Sequence, residues 1–315
     1  MPIQDVIEKN IKLAPFTTFN IGGEAAYFVN AFTADDIVAG VIWAKQNNLD
    51  FFILGGGSNV LISDDGFPGL VIKNATQATH VDALTVISES GTQLSRIVHL
   101  VSGHDLSGLE WAAGMPGTLG GAICGNAGAF GVSMQDIVES VTVFDLEKQT
   151  QVLYSNPECA FSYRHSIFRS NKNLIILSAK LNLKKGNKID IEKKMLDNVN
   201  YRVMNQPKYP SAGSVFKNLK VEAIREADMD LFELAQENGA VRGEHVSAGW
   251  LVDKMHLKGE RIGGAMASET HGNFIINKTS TATAEDVIML ISMIKQKART
   301  LYGVKLTKEI QYVGF

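Results

Sequence analysis

Seven glycines fall within residues 114–131: Gly114, Gly117, Gly120, Gly121, Gly125, Gly128 and Gly131. A second run, Gly55-Gly56-Gly57-Ser58-Asn59, follows directly on the strand-like Phe51–Leu54. Clustered glycine serves one of two ends, a tight turn or a main chain that a ligand or another backbone approaches closely. Consecutive glycines after a strand also expose backbone N–H groups to phosphate. The 55–59 cluster alone reads equally well as a tight turn, while the cluster from 114 suggests backbone packed closely against a ligand or another backbone; two in one half of the chain suit a large diphosphate-containing ligand. The standard phosphate motifs are excluded, because Val60 stands where the dinucleotide fingerprint needs its third glycine and no Gly-Lys-Ser/Thr follows.

The rest of the composition bounds the class. The 315 residues suggest two or three domains. A 45% hydrophobic and 20% charged content is that of an ordinary folded protein, and 29 Gly against 7 Pro excludes collagen-like and Pro-rich chains. Net charge −3 gives no basic footprint for nucleic acid. No apolar run approaches the roughly 18 residues of a membrane span, and residues 1–10 lack a signal-peptide core. Cys124 and Cys159 make no disulfide framework, and the seven histidines form no metal-binding pattern. A cytoplasmic protein with no metal, membrane or nucleic-acid partner is expected.

Periodicity predicts helices over 33–48, 92–101 (stopped at Gly103), 189–203, 230–238, 247–255 and 283–302. Thr33 with Asp36, and Thr283 with Asp286, have capping-box spacing, and Gly303 stops the last helix. Strands are predicted over 51–54, 70–73, 84–88, 138–144, 151–154, 161–167, 174–183, 274–277 and 304–313. Pro207 and Pro210 mark a domain boundary. The class is α+β with mixed sheets. By pattern alone Arg164 lies in a strand-like stretch, Ser214 in a turn after Gly213, and Glu309 on a solvent-facing strand position.

The ordered motifs add more. They are 17–23 (Thr-Thr-Phe-Asn-Ile-Gly-Gly), 55–61 with its three glycines, Gly108-Leu109-Glu110 leading to 114–122, and 161–166 (Phe-Ser-Tyr-Arg-His-Ser). Then come 210–218 (Pro-Ser-Ala-Gly-Ser-Val-Phe-Lys-Asn), 248–253, 257–259, 271–277 and the terminal 308–314. Over nearly the whole chain this series resembles the UDP-N-acetylenolpyruvoylglucosamine reductase family, in its compact form without an extra substrate-covering loop.

The resemblance implies non-covalent FAD in a fold of the vanillyl-alcohol-oxidase type rather than a Rossmann fold. It implies FAD-binding subdomains over 1–73 and 74–209, the latter joined by 300–315, and a smaller α/β substrate-binding domain over 210–299. FAD contacts fall on Gly55, Gly56, Gly57, Ser58, Asn59, Gly117, Thr118, Gly120, Gly121 and Ala122. NADPH is the implied hydride donor, UDP-N-acetylglucosamine enolpyruvate the substrate and UDP-N-acetylmuramate the product, in peptidoglycan precursor synthesis by a monomer. Arg164 would hold the enolpyruvyl carboxylate, Ser214 donate the proton, and Glu309 sit by the same carboxylate, protonated or sharing a proton. Tyr163, Lys217 and Asn218 are implied substrate contacts. Two positions depart from the family: Asn205 stands where many relatives carry a basic residue, and His256 where a glycine is often found. A flavin oxidase of the same fold and a catalytically silent nucleotide-binding relative are the rival readings; Ser214 and Glu309 speak against the first, the intact trio with Arg164 against the second.

Overall fold

Helix formation begins where the caps permit it. In the computed structural model, which describes residues 3–315, Thr33 accepts from the Asp36 amide while Asp36 accepts from that of Thr33, opening α1 (Ala34–Gln46). The box satisfies amides that the first helical turn leaves without partners. Along the chain follow α2 (Leu94–Gly103), α3 (Leu119–Cys124), α4 (Ile167–Ser170), α5 (Lys188–Asn205), α6 (Val221–Ala227), α7 (Met229–Glu237), α8 (Ala248–Lys254) and α9 (Ala284–Tyr302). The second predicted box, Thr283 with Asp286, opens α9, and Gly303 at φ +66° closes it in the left-handed cap that glycine adopts without strain.

The chain forms two compact units, one of residues 3–11, 25–56 and 68–204, the other of 12–24, 57–67 and 205–315. Residues 300–315, expected with 74–209, fall in the second unit. The first unit holds a four-stranded sheet ordered Glu8–Lys12, Glu24–Ala31, Phe67–Asn74, Phe51–Leu54. It also holds a five-stranded antiparallel sheet ordered Thr150–Ser155, Val138–Asp145, Leu174–Asn182, Thr85–Glu89, Thr79–Asp82. Buried Ile37, Val41 and Ala44 of α1 pack with Leu70 and Ile72 of the first sheet and Phe144, Ile175 and Leu177 of the second. A separate cluster joins Leu94, Ile97, Val98 and Val101 of α2 and Leu119, Ala122 and Ile123 of α3 to Val86, Val141, Ala179 and Leu181. Leu177 is an extra residue opposite Thr142–Val143. This bulge changes the phase of a strict two-residue alternation, so one strand serves both clusters.

In the second unit α9 buries Val287, Leu290, Ile291, Ile294 and Ala298. They pack in one cluster with α7, α8, and Phe19, Ile21 and Leu61 from the two early excursions of the chain. An antiparallel sheet orders Ser211–Ser214, Phe274–Asn277, Ala265–Ala267 and Arg261–Ile262, and Gln311–Val313 pairs in parallel with Val60–Ile62.

Of two expected strands, 161–167 does not form and 304–313 forms only over its last three residues. Residues 161–166 make a tight turn, and 304–310 run irregularly to a single bridge at Lys308 before the short strand Gln311–Val313. In both, polar side chains and backbone partners outside any ladder decide the conformation. Helix α6 and the strands Glu8–Lys12 and Glu24–Ala31 carry no pattern strong enough to announce them.

Candidate functional site

In the first unit, Phe51–Leu54 runs parallel to Phe67–Asn74, with Lys73 opposite Leu54, and hands the chain to Gly55. Lys73 donates its ammonium to the Gly55 carbonyl, and burial holds that ammonium's pKa below the usual lysine value. A Cβ at Gly55 would lie 2.5 Å from Thr118 Oγ1, and one at Gly56 2.7 Å from Gly117 Cα. The Gly56 backbone therefore lies against that of Gly117 and Gly55 against the Thr118 hydroxyl, leaving no room for a side chain at either. At the start of α3 the Leu119 and Gly120 amides donate to the carbonyls of Thr92 and Ser90, at 2.9 and 2.8 Å. Those two amides are spent within the protein. Gly121 differs: it is exposed, and a Cβ there would have only Thr118 Oγ1 nearby, at 3.6 Å. The structure thus brings Gly55, Gly56, Gly117, Thr118, Gly120, Gly121 and Ala122 together in this unit, while Gly57, Ser58 and Asn59 belong to the other.

Arg164 sits at the tip of the 162–165 turn, whose closing residues Ser162 and His165 exchange both backbone hydrogen bonds at 3.1 Å. Its φ of +54° is the left-handed region, which costs a non-glycine residue about 1–2 kcal/mol. Such strain persists where surrounding contacts over-determine it, and here they do. Asn126, buried, donates Nδ2 to the Ser162 carbonyl at 2.9 Å, and Ser166 Oγ donates to that of Cys124 at 2.8 Å. The guanidinium donates Nη2 to the Gly128 carbonyl at 2.9 Å, and its Cζ lies 5.5 Å from the Tyr163 ring centre. Helix α3 therefore starts at the glycine turns and ends at the anchors of Arg164.

The second unit gathers the remaining residues. Ser214 ends its strand one residue after Gly213, whose φ of +75° makes a bulge between the pairs Ser211–Ile276 and Ser214–Phe274. Upstream, Thr18 Oγ1 donates to the Ser211 carbonyl at 2.7 Å. The Glu309 amide donates to the Val215 carbonyl at 2.7 Å, and the Lys217 amide to that of Thr307 at 2.9 Å. Ser214 and Glu309 are thus held in fixed register, both half-buried. Asn59 joins them through its carbonyl, which accepts from the Gln311 amide at 3.0 Å. Asn218 Oδ1 accepts from the Ala248 amide at 3.2 Å, at the start of α8. Beside Glu309, Lys308 places its ammonium 3.2 Å from the Tyr312 ring centre; burial first and then Lys295 lower its pKa, and burial raises that of Tyr312.

Other candidate chemistry recedes. Burial pushes the Cys159 thiol up to about 12 and raises Cys124 despite Arg169, so neither is an activated nucleophile. No three His, Cys, Asp or Glu side chains among the described residues could hold a metal ion. His256 adopts φ +55°, the left-handed region that glycine enters without strain. Sequence reasoning missed Asn126 and Asn273, both buried and hydrogen-bonded to backbone around the predicted residues. The only signal in the chain was a polar residue inside otherwise apolar or glycine-rich motifs.

Comparison with known proteins extends the geometry. A family model described as UDP-N-acetylenolpyruvoylglucosamine reductase, C-terminal domain, matches residues 206–313, and one described as FAD binding domain matches 25–152. The chain is 40% identical over 300 residues to UDP-N-acetylenolpyruvoylglucosamine reductase of Caldanaerobacter subterraneus subsp. tengcongensis, covering 95% of this chain and 90% of that one. It is 36% identical to the like-named protein of Anoxybacillus flavithermus, over 98% of this chain and 94% of the relative. The crystal structure of UDP-N-acetylenolpyruvylglucosamine reductase from Thermus caldophilus superposes with a TM-score of 0.76 at 31% identity, covering 98% of both chains.

Proposed function

The chain belongs to the UDP-N-acetylenolpyruvoylglucosamine reductase family, and from that premise we propose that Arg164, Ser214 and Glu309 carry its chemistry. The protein is an FAD-containing, NADPH-dependent oxidoreductase that converts UDP-N-acetylglucosamine enolpyruvate to UDP-N-acetylmuramate in peptidoglycan precursor synthesis.

The residues present fit the cofactor. The abutting turns at Gly55–Gly56 and Gly117–Thr118, with open space over Gly121, form a small-residue cradle of the kind a diphosphate approaches closely. FAD held there would supply hydride-transfer chemistry between NADPH and the vinyl carbon of the substrate. The protein's own residues handle the charge and proton that follow. Arg164 holds the enolpyruvyl carboxylate, its planar fork of donors suited to charge growing on two oxygens. Donors fixed in advance lower the barrier most where charge develops. Ser214 Oγ gives its proton to the carbon next to the carboxylate, where the enolate is basic enough to draw on a weak acid. Glu309, protonated or sharing a proton, hydrogen-bonds the same carboxylate. Tyr163 packs beside Arg164, and Lys217 and Asn218 contact the substrate diphosphate. Gly57, Ser58 and Asn59 complete the FAD contacts.

The observation that carries this assignment is the 2.7 Å hydrogen bond from the Glu309 amide to the carbonyl of Val215, the residue after Ser214. It fixes two residues far apart in sequence as neighbours in space. We also propose FAD-binding subdomains over 1–73 and 74–209, a substrate-binding domain over 210–299, and a cytoplasmic monomer without nucleic-acid or membrane partners. A net charge of −3 supports the absence of a nucleic-acid footprint, and no helix among the described residues is long and apolar enough to cross a membrane.

The test is anaerobic. Protein reduced with NADPH is mixed with UDP-N-acetylglucosamine enolpyruvate, and return of the oxidised flavin spectrum with formation of the lactyl ether is expected. In Ser214→Ala, flavin reduction by NADPH stays near wild type and reoxidation by substrate collapses. Normal turnover in that variant would remove Ser214 from the mechanism.

A further inference from the structure

We propose that Asn273 is a positioning residue for the Ser214 hydroxyl, acting through the backbone of Val215 and Phe216; this rests on Ser214 being the proton donor. The bulge at Gly213 re-aims the strand just before Ser214 but breaks the regular ladder that would otherwise hold it. Asn273 supplies the missing bonds. Its Oδ1 accepts from the Phe216 amide at 2.9 Å, its Nδ2 donates to the Phe216 carbonyl at 2.9 Å, and its own carbonyl accepts from the Val215 amide at 2.8 Å. The Asn273 amide thus stands in for a strand backbone, with Asn273 3% and Phe216 1% exposed, away from competing water.

The clamp is itself held. The Asn273 amide donates to His271 Nδ1 at 3.3 Å, and the His271 ring lies edge-on to Phe274 at 5.0 Å and so close to α8 that a Cβ at Gly249 would fall 2.6 Å from it. The same short segment is tied to residues 307–309 by the Glu309 and Lys217 amides. The path from Gly249 through His271 and Asn273 to Phe216 is a continuous set of contacts ending two residues from Ser214. A weak acid delivers its proton only when held at hydrogen-bond distance from the carbon, and a displacement of about 1 Å can cost about a hundredfold in rate.

Asn273→Asp is the informative change: one oxygen still accepts from the Phe216 amide, while the other meets the Phe216 carbonyl in place of a donor. In the FAD-loaded enzyme, flavin reduction by NADPH should stay within about twofold of wild type. Flavin reoxidation by substrate should slow by about 10–100-fold, with a larger solvent deuterium isotope effect on that step. Asn277→Asp is the matched control. Asn277, 1% exposed at the end of the strand Phe274–Asn277, donates Nδ2 to the Phe19 carbonyl and accepts from the Ala282 amide through Oδ1. It should lower thermal stability and leave both half-reactions alone. Should Asn273→Asp not yield holoenzyme, His271→Phe keeps a ring against Gly249, removes the Nδ1 acceptor, and should slow the same step alone.

Equal losses in both half-reactions, or normal reoxidation and isotope effect in Asn273→Asp beside a blocked Ser214→Ala, would overturn the positioning role and leave the proton donor standing. Normal reoxidation in Ser214→Ala would overturn the proton-donor reading and this proposal with it.

Discussion

Replacing Gly121 by Ala separates the needs of the fold from those of the cofactor. Its Cβ would rest 3.6 Å from Thr118 Oγ1, an ordinary contact, and within α3 the exchange of Gly for Ala gains about 0.5–1 kcal/mol. Gly120→Ala brings the same gain, but its Cβ would lie 2.8 Å from Ser90 Cβ and 3.1 Å from the Ser90 carbonyl. Overpacking of that kind costs about 1–3 kcal/mol. The flavin-free Gly121→Ala protein should therefore exceed Gly120→Ala in stability by about 1–3 kcal/mol. With FAD the ranking changes, because the Gly121 methyl would occupy space assigned to the diphosphate. Its Kd for FAD should rise at least about tenfold, or ~1.4 kcal/mol. Urea unfolding of the flavin-free proteins, with the slope m unchanged, measures the first difference; quenching of flavin fluorescence on titration measures the second. A destabilised flavin-free Gly121→Ala would refute the contact argument. A stable variant that binds FAD as tightly as wild type would refute the placement of the cofactor against α3.

Two further predictions concern the second unit. Glu309→Gln should retain more of the flavin-reoxidation rate than Glu309→Ala, since an amide still donates to the substrate carboxylate; equal and severe losses would show that a carboxylate charge is required. His271 has its pKa lowered from the ordinary 6.5 by burial, with Lys258 and Arg242 adding to it and Asp253 opposing. The unfolded chain therefore binds this proton more readily than the folded one, so the contribution is intact above pH 6.5 and is lost as pH falls from there toward the folded value. The slope cannot exceed about 1.4 kcal/mol per pH unit for one proton. Denaturant midpoints at pH 7.5 and 5.5 should separate more in wild type than in His271→Phe, and an equal separation would refute this.

Much of the fold was legible because local rules and tertiary packing agree. The boxes at Thr33–Asp36 and Thr283–Asp286 open the predicted helices, and Gly303 closes the second where glycine is cheapest. Arg164 was placed on a strand because Phe161–Ile167 has the composition of one. The turn there is imposed by Asn126 and Ser166, whose partners lie about 40 residues away in the chain. Residues 304–310 likewise look like a strand, but there the Glu309 amide donates to Val215 and the Thr307 carbonyl accepts from Lys217, outside any continuous ladder.

The sequence by itself determined which short segments carry glycine, caps and the reactive side chains, and the ordered motifs were specific enough to assign a family and its chemistry. Those properties depend on residue identity and near spacing, which a chain displays openly. Only the tertiary structure decided why Gly55 and Gly56 admit no side chain, since the reason is the Thr118 side chain at the first and the Gly117 backbone at the second. It also decided that Ser214 and Glu309 are neighbours, through one amide on one carbonyl. Hydrogen bonds between distant backbone groups depend on atoms every residue shares, so no residue pattern can announce them.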